Sequence, residues 1–548
     1  MTYRILVTDG VDAEGVSVLA AEPALAVDEV PTLPSDELLA RIGAYDALVV
    51  RSATRVSSGL LRAAPRLAVV GRAGVGVDNI DVGLATELGI AVINAPAGNT
   101  TAVAELFFGS VLSLLRHIPR ADQSLREGRW EKSAFLGSEL KGRALGVVGL
   151  GRIGGEIAVR AHAFGMTVVG YDPYVGDPRL HALRVRRAAT LDDLLGEATV
   201  LTIHTPPTDE TQAMIGAREI ARLAPGSIVV NLSRGGMVDE LALADGLRRG
   251  HLAGAVLDVY SKEPLSADHP LLSMPNVVLT PHIGASTVEA QRSVSVEVCQ
   301  AVRDALLSGE LSRSINAASV VNGSWADVRP ALLLTRQLAA VGRALLASRG
   351  ARAIDRIDVS SGDALAGAGE ALLASAALGV LAPVVANERL NLISARALST
   401  ARGIALSVTA GEALGEAGIE SAAENRGATY GVAVRLTSGR HEMTVAGVAH
   451  PEAAPRITRI GAFHVDVQPR ETLLILTNRD VPGVIGHVGM ALGSAGVNIA
   501  EYHQARLAQG GEALAAVAVD GSVEDSLRHG LLALPDVLSA TVIPLPIE

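Results

Sequence analysis

Three side chains of complementary chemistry stand far apart in the chain, each just past an apolar run of strand length. Arg234 follows residues 228–232, Glu263 follows 255–260 and His282 follows 277–280. Removing hydride from a secondary alcohol requires a base for the hydroxyl proton, a partner that orients that base, and a cation for a neighbouring carboxylate. An imidazole exchanges protons around neutral pH, with a reference pKa of about 6.5. A carboxylate on its far nitrogen fixes the tautomer and stabilises the imidazolium, while a guanidinium offers a planar fork that matches a carboxylate. Taken singly, Arg234 reads equally as a surface ion-pair residue, Glu263 as a loop charge and His282 as a satisfied core histidine. Their joint placement after strands argues for a site, because strand carboxyl ends line the crevice of an open α/β sheet.

A glycine-rich turn supplies the second half of the chemistry. Gly149-Leu150-Gly151-Arg152-Ile153-Gly154 follows the apolar run 144–148 and opens a helical stretch carrying Ile153, Ile157 and Ala161. The first glycine permits a tight turn, the second lets a pyrophosphate approach the backbone, and the third allows close helix packing. In a chain with 57 glycines the pattern alone says little. Its place between strand and helix points to a dinucleotide. The run 166–171 ends at Asp172, at the offset of about 20 residues where an acid meets the ribose hydroxyls and repels a 2′-phosphate. NAD is therefore expected over NADP, the bland alternative being that Asp172-Pro173 only turns the chain. Residues 71–76 carry glycines in the wrong spacing for a phosphate loop and read as a loop at a strand end.

The elements that must hold these groups follow from composition and pattern. At 548 residues the chain exceeds one ordinary core and suggests three or four domains. Hydrophobic residues at 49% against 19% charged exclude broad disorder, and a net charge of −11 argues against a nucleic-acid partner. An anionic small molecule stays compatible if a few arginines converge locally. Cys299 is the sole cysteine, so no intrachain disulfide and no multi-cysteine metal site is expected. The opening residues read as a strand rather than a signal peptide, and a cytoplasmic protein is expected. The run 371–386 is shorter than the roughly 20 residues a bilayer requires and reads as a buried core helix, so no membrane association is expected. Residues 1–98 alternate apolar runs (5–7, 47–50, 67–70, 91–93) with helical stretches, which implies a parallel sheet. A helix follows Asn99, with Val103, Leu106, Phe107, Val111, Leu114 and Leu115 on one face and Asn99 or Thr100 as its cap. A second alternating region spans 145–282. Residues 312–330 read as a linker, and from 472 the pattern is strand, helix, strand, strand, helix, strand.

Four stretches occur in order: Gly149 to Gly154, Ser233-Arg234-Gly235-Gly236, Asp258 to Pro264, and Thr280 to Ser286. They resemble the signatures of the D-isomer-specific 2-hydroxyacid dehydrogenases over roughly residues 1–315. The resemblance implies two Rossmann-like doubly wound lobes and gives Arg234, Glu263 and His282 the roles argued above. It implies NAD contacts at Val75, Gly149, Gly151, Arg152, Ile153, Gly154, Asp172, Thr205, Leu232, Ser233, Asp258, Gly284 and Ala285. The substrate lobe would be discontinuous, residues 1–98 with 287–315, and the cofactor lobe would span 99–286. Arg51-Ser52 and residues 71–79 look like the substrate loops of the phosphoglycerate branch. There Arg51 and Ser52 would hold a phosphate, the Gly74-Val75 backbone a carboxylate, and Lys132 would reach in from a neighbouring subunit. The reaction implied is oxidation of D-3-phosphoglycerate to 3-phosphohydroxypyruvate, the first step of phosphorylated serine synthesis.

The tail extends the resemblance. Residues 316–468 are similar to the α+β intervening domain of the long form, which can take an anionic effector, with Arg456 or Arg459 as candidates. Residues 469–548 resemble an ACT domain, in which Asp480 and Asn498 match positions that hold L-serine across a domain pair; Asn478 stands where some relatives have an aromatic residue. In its helix Val484, Ile485, Val488 and Leu492 are expected inward, with Pro482 in the first turn. A homotetramer is implied. Rival readings are another D-2-hydroxy acid substrate, a non-catalytic NAD-sensing regulator, and a tail that only assembles subunits.

Overall fold

Runs of branched apolar residues with no polar alternation are strands buried on both faces, and five of them make the first sheet. The computed structural model describes residues 2–318, 320, 325–385, 389–410, 430–450 and 453–546. Strands β1 (Tyr3–Val7), β2 (Leu25–Glu29), β3 (Ala47–Val50), β4 (Val69–Arg72) and β5 (Ala91–Asn94) pair in parallel in the order β2-β1-β3-β4-β5. The edge strand β2 escapes the sequence reading because only Leu25 is buried in it. The helix Val288–Ser308 returns to this sheet and packs Val294, Val298, Cys299 and Val302 into one core with Ile5, Val7 and Val49.

Helix Thr100–Leu115 leads into the second sheet, with Phe107 and Val111 fully buried, each worth about 1.5–3 kcal/mol. The expected side-chain cap is absent. Asn99 Oδ1 and Thr100 Oγ1 are buried with no hydrogen-bond partner among the described residues. Strands β6 (Ala144–Val148), β7 (Thr167–Tyr171), β8 (Arg186–Arg187), β9 (Val200–Ile203), β10 (Ser227–Asn231), β11 (Leu252–Leu257) and β12 (Val277–Leu279) follow. All run parallel in the order β8-β7-β6-β9-β10-β11-β12. This is the dinucleotide-binding order, and its direction reverses between β6 and β9, where a crevice opens beyond the strand ends.

The expected linker is shorter than 312–330. Residues 314–316 clip onto the edge of β5, where Ile315 N donates to Val92 O and Val92 N to Asn316 Oδ1, both 2.8 Å. Pro330 lies in the second turn of helix Trp325–Ser348. The third sheet holds β13 (Arg356–Ser361), β14 (Ala405–Ala410), β15 (Tyr430–Ser438), β16 (His441–His450), β17 (Ala453–Ile460) and β18 (Phe463–Val467), in the order β14-β13-β15-β16-β17-β18. Helices Trp325–Ser348 and Asp363–Leu381 are long and apolar enough to cross a membrane, the second longer than the sequence run suggested. In this fold they pack on each other and on β13, β15 and β16 as the third core. Residues 386–388 and 411–429, the first closing the expected apolar run, lie outside the described residues.

Strands β19 (Thr472–Arg479), β20 (Ile499–Arg506), β21 (Glu512–Val519) and β22 (Val537–Pro544) close the chain as an antiparallel sheet, β20-β21-β19-β22. Helices Val484–Ser494 and Asp525–Leu532 cover one face in a βαββαβ arrangement. Val484, Val488 and Leu492 face inward, whereas Ile485 is half exposed. Pro482 precedes the helix instead of entering its first turn, because Gly483 at φ +98° forms the N-cap.

Candidate active site

Parallel strands deliver their carboxyl ends to one side, so the loops after β10, β11 and β12 bring Arg234, Glu263 and His282 to the same crevice. His282 Nδ1 lies 2.8 Å from Glu263 Oε2, and Glu263 Oε1 accepts from Tyr260 N at 3.1 Å. The backbone of His282 is left-handed, φ +54°, which costs a non-glycine residue roughly 1–2 kcal/mol. Asp258 holds it there. This fully buried carboxylate accepts from Ile283 N and Gly284 N, each at 2.8 Å, and from Thr280 Oγ1 at 2.5 Å. Asp258 therefore anchors the histidine turn, a use that spacing could not disclose.

His282 borders two cavities. One, of about 620 Å³, lies between the lobes and is lined by Val75, Gly76 and Asp78 from the first and by Arg152, Ile153, Thr205, Leu232, Ser233, Arg234, Asp258, Gly284 and Ala285 from the second. The other, of about 770 Å³, is lined by Ser52, Glu263, Leu265, Leu272 and His282 among others. Arg234 crosses the gap: its Nε donates to Asp78 Oδ2 at 3.1 Å, and Gly76 leaves room for its Nη2, which a Cβ would meet at 1.9 Å.

The glycine turn has the geometry its pattern demands. Gly149 sits at φ +88°, a Cβ on Gly154 would lie 2.0 Å from Gly149 O, and the space beside Gly151 is open. The helix Arg152–Ala163 that follows has no side-chain cap at its N-terminus, which leaves a place for an anion. Asp172 follows β7, with Oδ2 accepting from Leu150 N at 2.9 Å and Oδ1 from Tyr174 N at 3.0 Å. The acid is thus tied to the glycine turn itself. These residues fit a dinucleotide.

Arg51 follows β3, where its N donates to Asp9 Oδ2 at 2.9 Å and its carbonyl accepts from Asn79 Nδ2 at 2.8 Å. Gly74 N is occupied by Arg72 O at 2.8 Å, so the Gly74 half of the expected amide pair is already engaged. Lys132 is exposed on a projecting stretch and borders neither cavity. Arg72 and His204, which the sequence did not mark as site residues, line the first cavity together with Asn99, expected there only as a helix cap. Burial, then the positive charge of Arg234, pushes the Arg72 guanidinium down to about 10; Asp78 offsets this and Arg51 adds to it. Arg72 Nε has no partner among the described residues. His204 is pushed down to about 3 by burial and is neutral, its Nε2 at 2.8 Å from Thr202 Oγ1. His204 directly follows β9, where the strand-end rule would have found it, whereas Arg72 is the last residue of β4.

Just past β19, Asp480 accepts from Gly510 N at 3.1 Å and Arg506 Nη1 at 3.2 Å, which together hold its carboxyl below the usual range. Asn498, one residue before β20, donates to Asp520 Oδ2 at 2.6 Å. Asn478 is buried and accepts from Gln504 Nε2 at 3.2 Å. Arg456 is engaged by Asp466 and Glu501, and Arg459 Nε donates to Gly461 O at 2.8 Å.

Residues 108–284 match the model of the D-isomer specific 2-hydroxyacid dehydrogenase NAD binding domain. The D-3-phosphoglycerate dehydrogenase of Bacillus subtilis is 35% identical over 99% of this chain and 100% of its own. That of Mycobacterium tuberculosis is 38% identical over 93% of each. Among solved structures, a protein of Thermus thermophilus is 34% identical with a TM-score of 0.53, covering 57% of this chain and 99% of that one. An NADPH-dependent glyoxylate/hydroxypyruvate reductase of Sinorhizobium meliloti is 31% identical with a TM-score of 0.51, covering 57% and 97%. The chain belongs to the D-3-phosphoglycerate dehydrogenases, within the D-isomer-specific 2-hydroxyacid dehydrogenase family.

Proposed function

We propose that the chain oxidises D-3-phosphoglycerate to 3-phosphohydroxypyruvate with NAD, in the cytoplasm and as the first step of the phosphorylated route to serine. The observation that carries this reading is the imidazole–carboxylate pair of His282 and Glu263, 2.8 Å apart, with Arg72 and Arg234 lining the cavity that His282 borders. Residues 1–98 with 287–315 form the substrate lobe and 99–286 the cofactor lobe. Bound along the Gly149–Gly154 turn, NAD supplies the acceptor for the C2 hydride, with Asp172 on the ribose. His282 Nε2 takes the C2 hydroxyl proton while Glu263 at Nδ1 stabilises the imidazolium. Arg234 holds the substrate carboxylate with the Val75 amide. Arg51, Ser52 and Arg72 meet the phosphate, joined by Lys132 of a neighbouring subunit in a homotetramer. Residues 316–468 form the intervening domain, and the ACT domain, 469–548, binds L-serine through Asp480 and Asn498 as a feedback inhibitor.

The test is NADH formation from 3-phosphoglycerate against glycerate and lactate, with and without serine. Turnover should be highest on 3-phosphoglycerate and fall when serine is added. His282→Ala should lower kcat by about 10²–10⁴ with NADH affinity nearly unchanged. Preference for an unphosphorylated acid would replace the substrate, and no turnover on any acid would favour the NAD-sensing regulator.

A further inference from the structure

We infer that Glu240, braced by His269, is a positioning residue that sets the loop carrying Glu263 against the loop carrying Arg234. Glu240 opens the helix Glu240–Arg248, six residues after Arg234. Its Oε1 accepts from Ser261 N at 2.6 Å and from Ser261 Oγ at 2.7 Å, and its Oε2 meets His269 Nε2 at 3.1 Å. His269 Nδ1 accepts from Leu271 N at 3.4 Å, which leaves the proton on Nε2 to face the carboxylate.

Capping of its own helix does not explain this carboxylate. Asp239 already accepts from Leu241 N and Ala242 N, each at 3.0 Å. The Glu240 side chain is 10% exposed and that of His269 15%, far more enclosed than the 37% of Glu263 and 50% of His282. A carboxyl group withdrawn from water this far needs hydrogen-bond donors in place of the water, and here each donor belongs to residues 261–269. The two loops also touch directly: a Cβ on Gly235 would lie 1.8 Å from Tyr260 O. Ser261 is thereby held from one side by Glu240 and on the other by the Arg234 loop, and Glu263 follows two residues later. Its Oε2 reaches His282 Nδ1 from that fixed base. A half-exposed imidazole whose orienting carboxylate shifts by about 1 Å loses its alignment, and turnover falls by about 10²-fold in such cases.

The inference rests on the reading of Glu263 and His282 given above, and a double-mutant cycle on the full-length protein separates the two. Steady-state oxidation of 3-phosphoglycerate and NADH binding by fluorescence are measured for wild type, Glu240→Ala, Glu263→Gln and the double variant. Glu240→Ala should lower kcat about 10- to 100-fold with NADH affinity within about twofold, and should add less than about twofold in the Glu263→Gln background. Glu240→Gln keeps an acceptor toward Ser261 but turns an amide NH2 toward His269 Nε2, and should recover part of the loss. Ser261→Ala, which removes the hydroxyl and keeps the amide, runs the same cycle with a smaller loss, about 3- to 10-fold, should Glu240→Ala not fold. Undiminished loss in the Glu263→Gln background would make Glu240 a general brace and overturn the inference alone. No loss in Glu263→Gln itself would overturn the reading of the site, and the coupling with it.

Discussion

Arg72 carries a charge that the folded protein does not satisfy. Its value near 10 lies below the ordinary arginine value because burial and the nearby Arg234 both disfavour the cation. For a base with a lowered folded value, the charged form is worse off folded than unfolded at any pH below about 10. That cost is relieved by deprotonation above it, by an arriving anion, or by removing the group. Arg72→Met is accordingly expected to raise the melting temperature of the free protein while raising KM for 3-phosphoglycerate by at least about tenfold. In wild type kcat/KM should fall as pH climbs through about 10, and that limb should vanish in the variant. A variant that melts lower with an unchanged KM would remove Arg72 from the substrate site. At this scale His282, Glu263 and Arg234 are legible in the sequence because each directly follows an apolar run. Arg72 hides inside such a run's end, in a loop read for its backbone. The anchoring use of Asp258 was illegible, since three donors from residues 280–284 meet it only once β11 and β12 are paired.

Elements were legible where one face or both are dry, and lost where burial is slight. β1, β3 and β5 declare themselves as uninterrupted apolar runs, while β2 buries one residue in five. The inward faces of the last helices follow the period of 3.6, but a period cannot tell which flank meets solvent, hence the exposure of Ile485. The polar stretch between helix Ile118–Arg126 and β6 poses the opposite case, since its few large apolar side chains stand bare. Trp130 is 84% and Leu136 88% exposed, beside Ile118 and Leu125, both more than half exposed. Such a patch on a folded chain marks an interaction surface. As the proposed subunit contact and the carrier of Lys132, it should be required for assembly. Trp130→Ser with Leu136→Ser is expected to shift the protein toward smaller species in sedimentation velocity at micromolar concentration, and to raise KM for the phosphorylated substrate in step. An unchanged sedimentation profile would place the subunit contact elsewhere.

Across the whole molecule the four sheets form a chain of contacts, and each joint can be named. The third unit meets the substrate lobe where Asn391 Nδ2 donates to Gly89 O at 2.7 Å and Arg389 donates to Ala64 O. It meets the fourth sheet through Arg456, which binds Asp466 beside it in the third sheet and Glu501 on β20 across the boundary. Glu501 also accepts from Gln468 N at 2.8 Å, so the connecting backbone and the ion pair share one carboxylate. Ser312–Asn316 and these joints lie far apart in sequence, which is why the lobes were readable singly but their docking was not. In the proposed reading a signal from serine at Asp480 and Asn498 has this boundary to cross, and coupling between sites is commonly about 5- to 150-fold in affinity. Removing the pair removes a contact that can differ between inhibited and active states, without touching either ligand. Arg456→Ala is therefore expected to leave uninhibited turnover and serine binding, read by calorimetry, within about twofold of wild type. Inhibition at saturating serine should weaken about fivefold or more. Full inhibition in that variant would mean that the ACT domain reaches the active site by another route, through the subunit contacts instead of through β18 and β20.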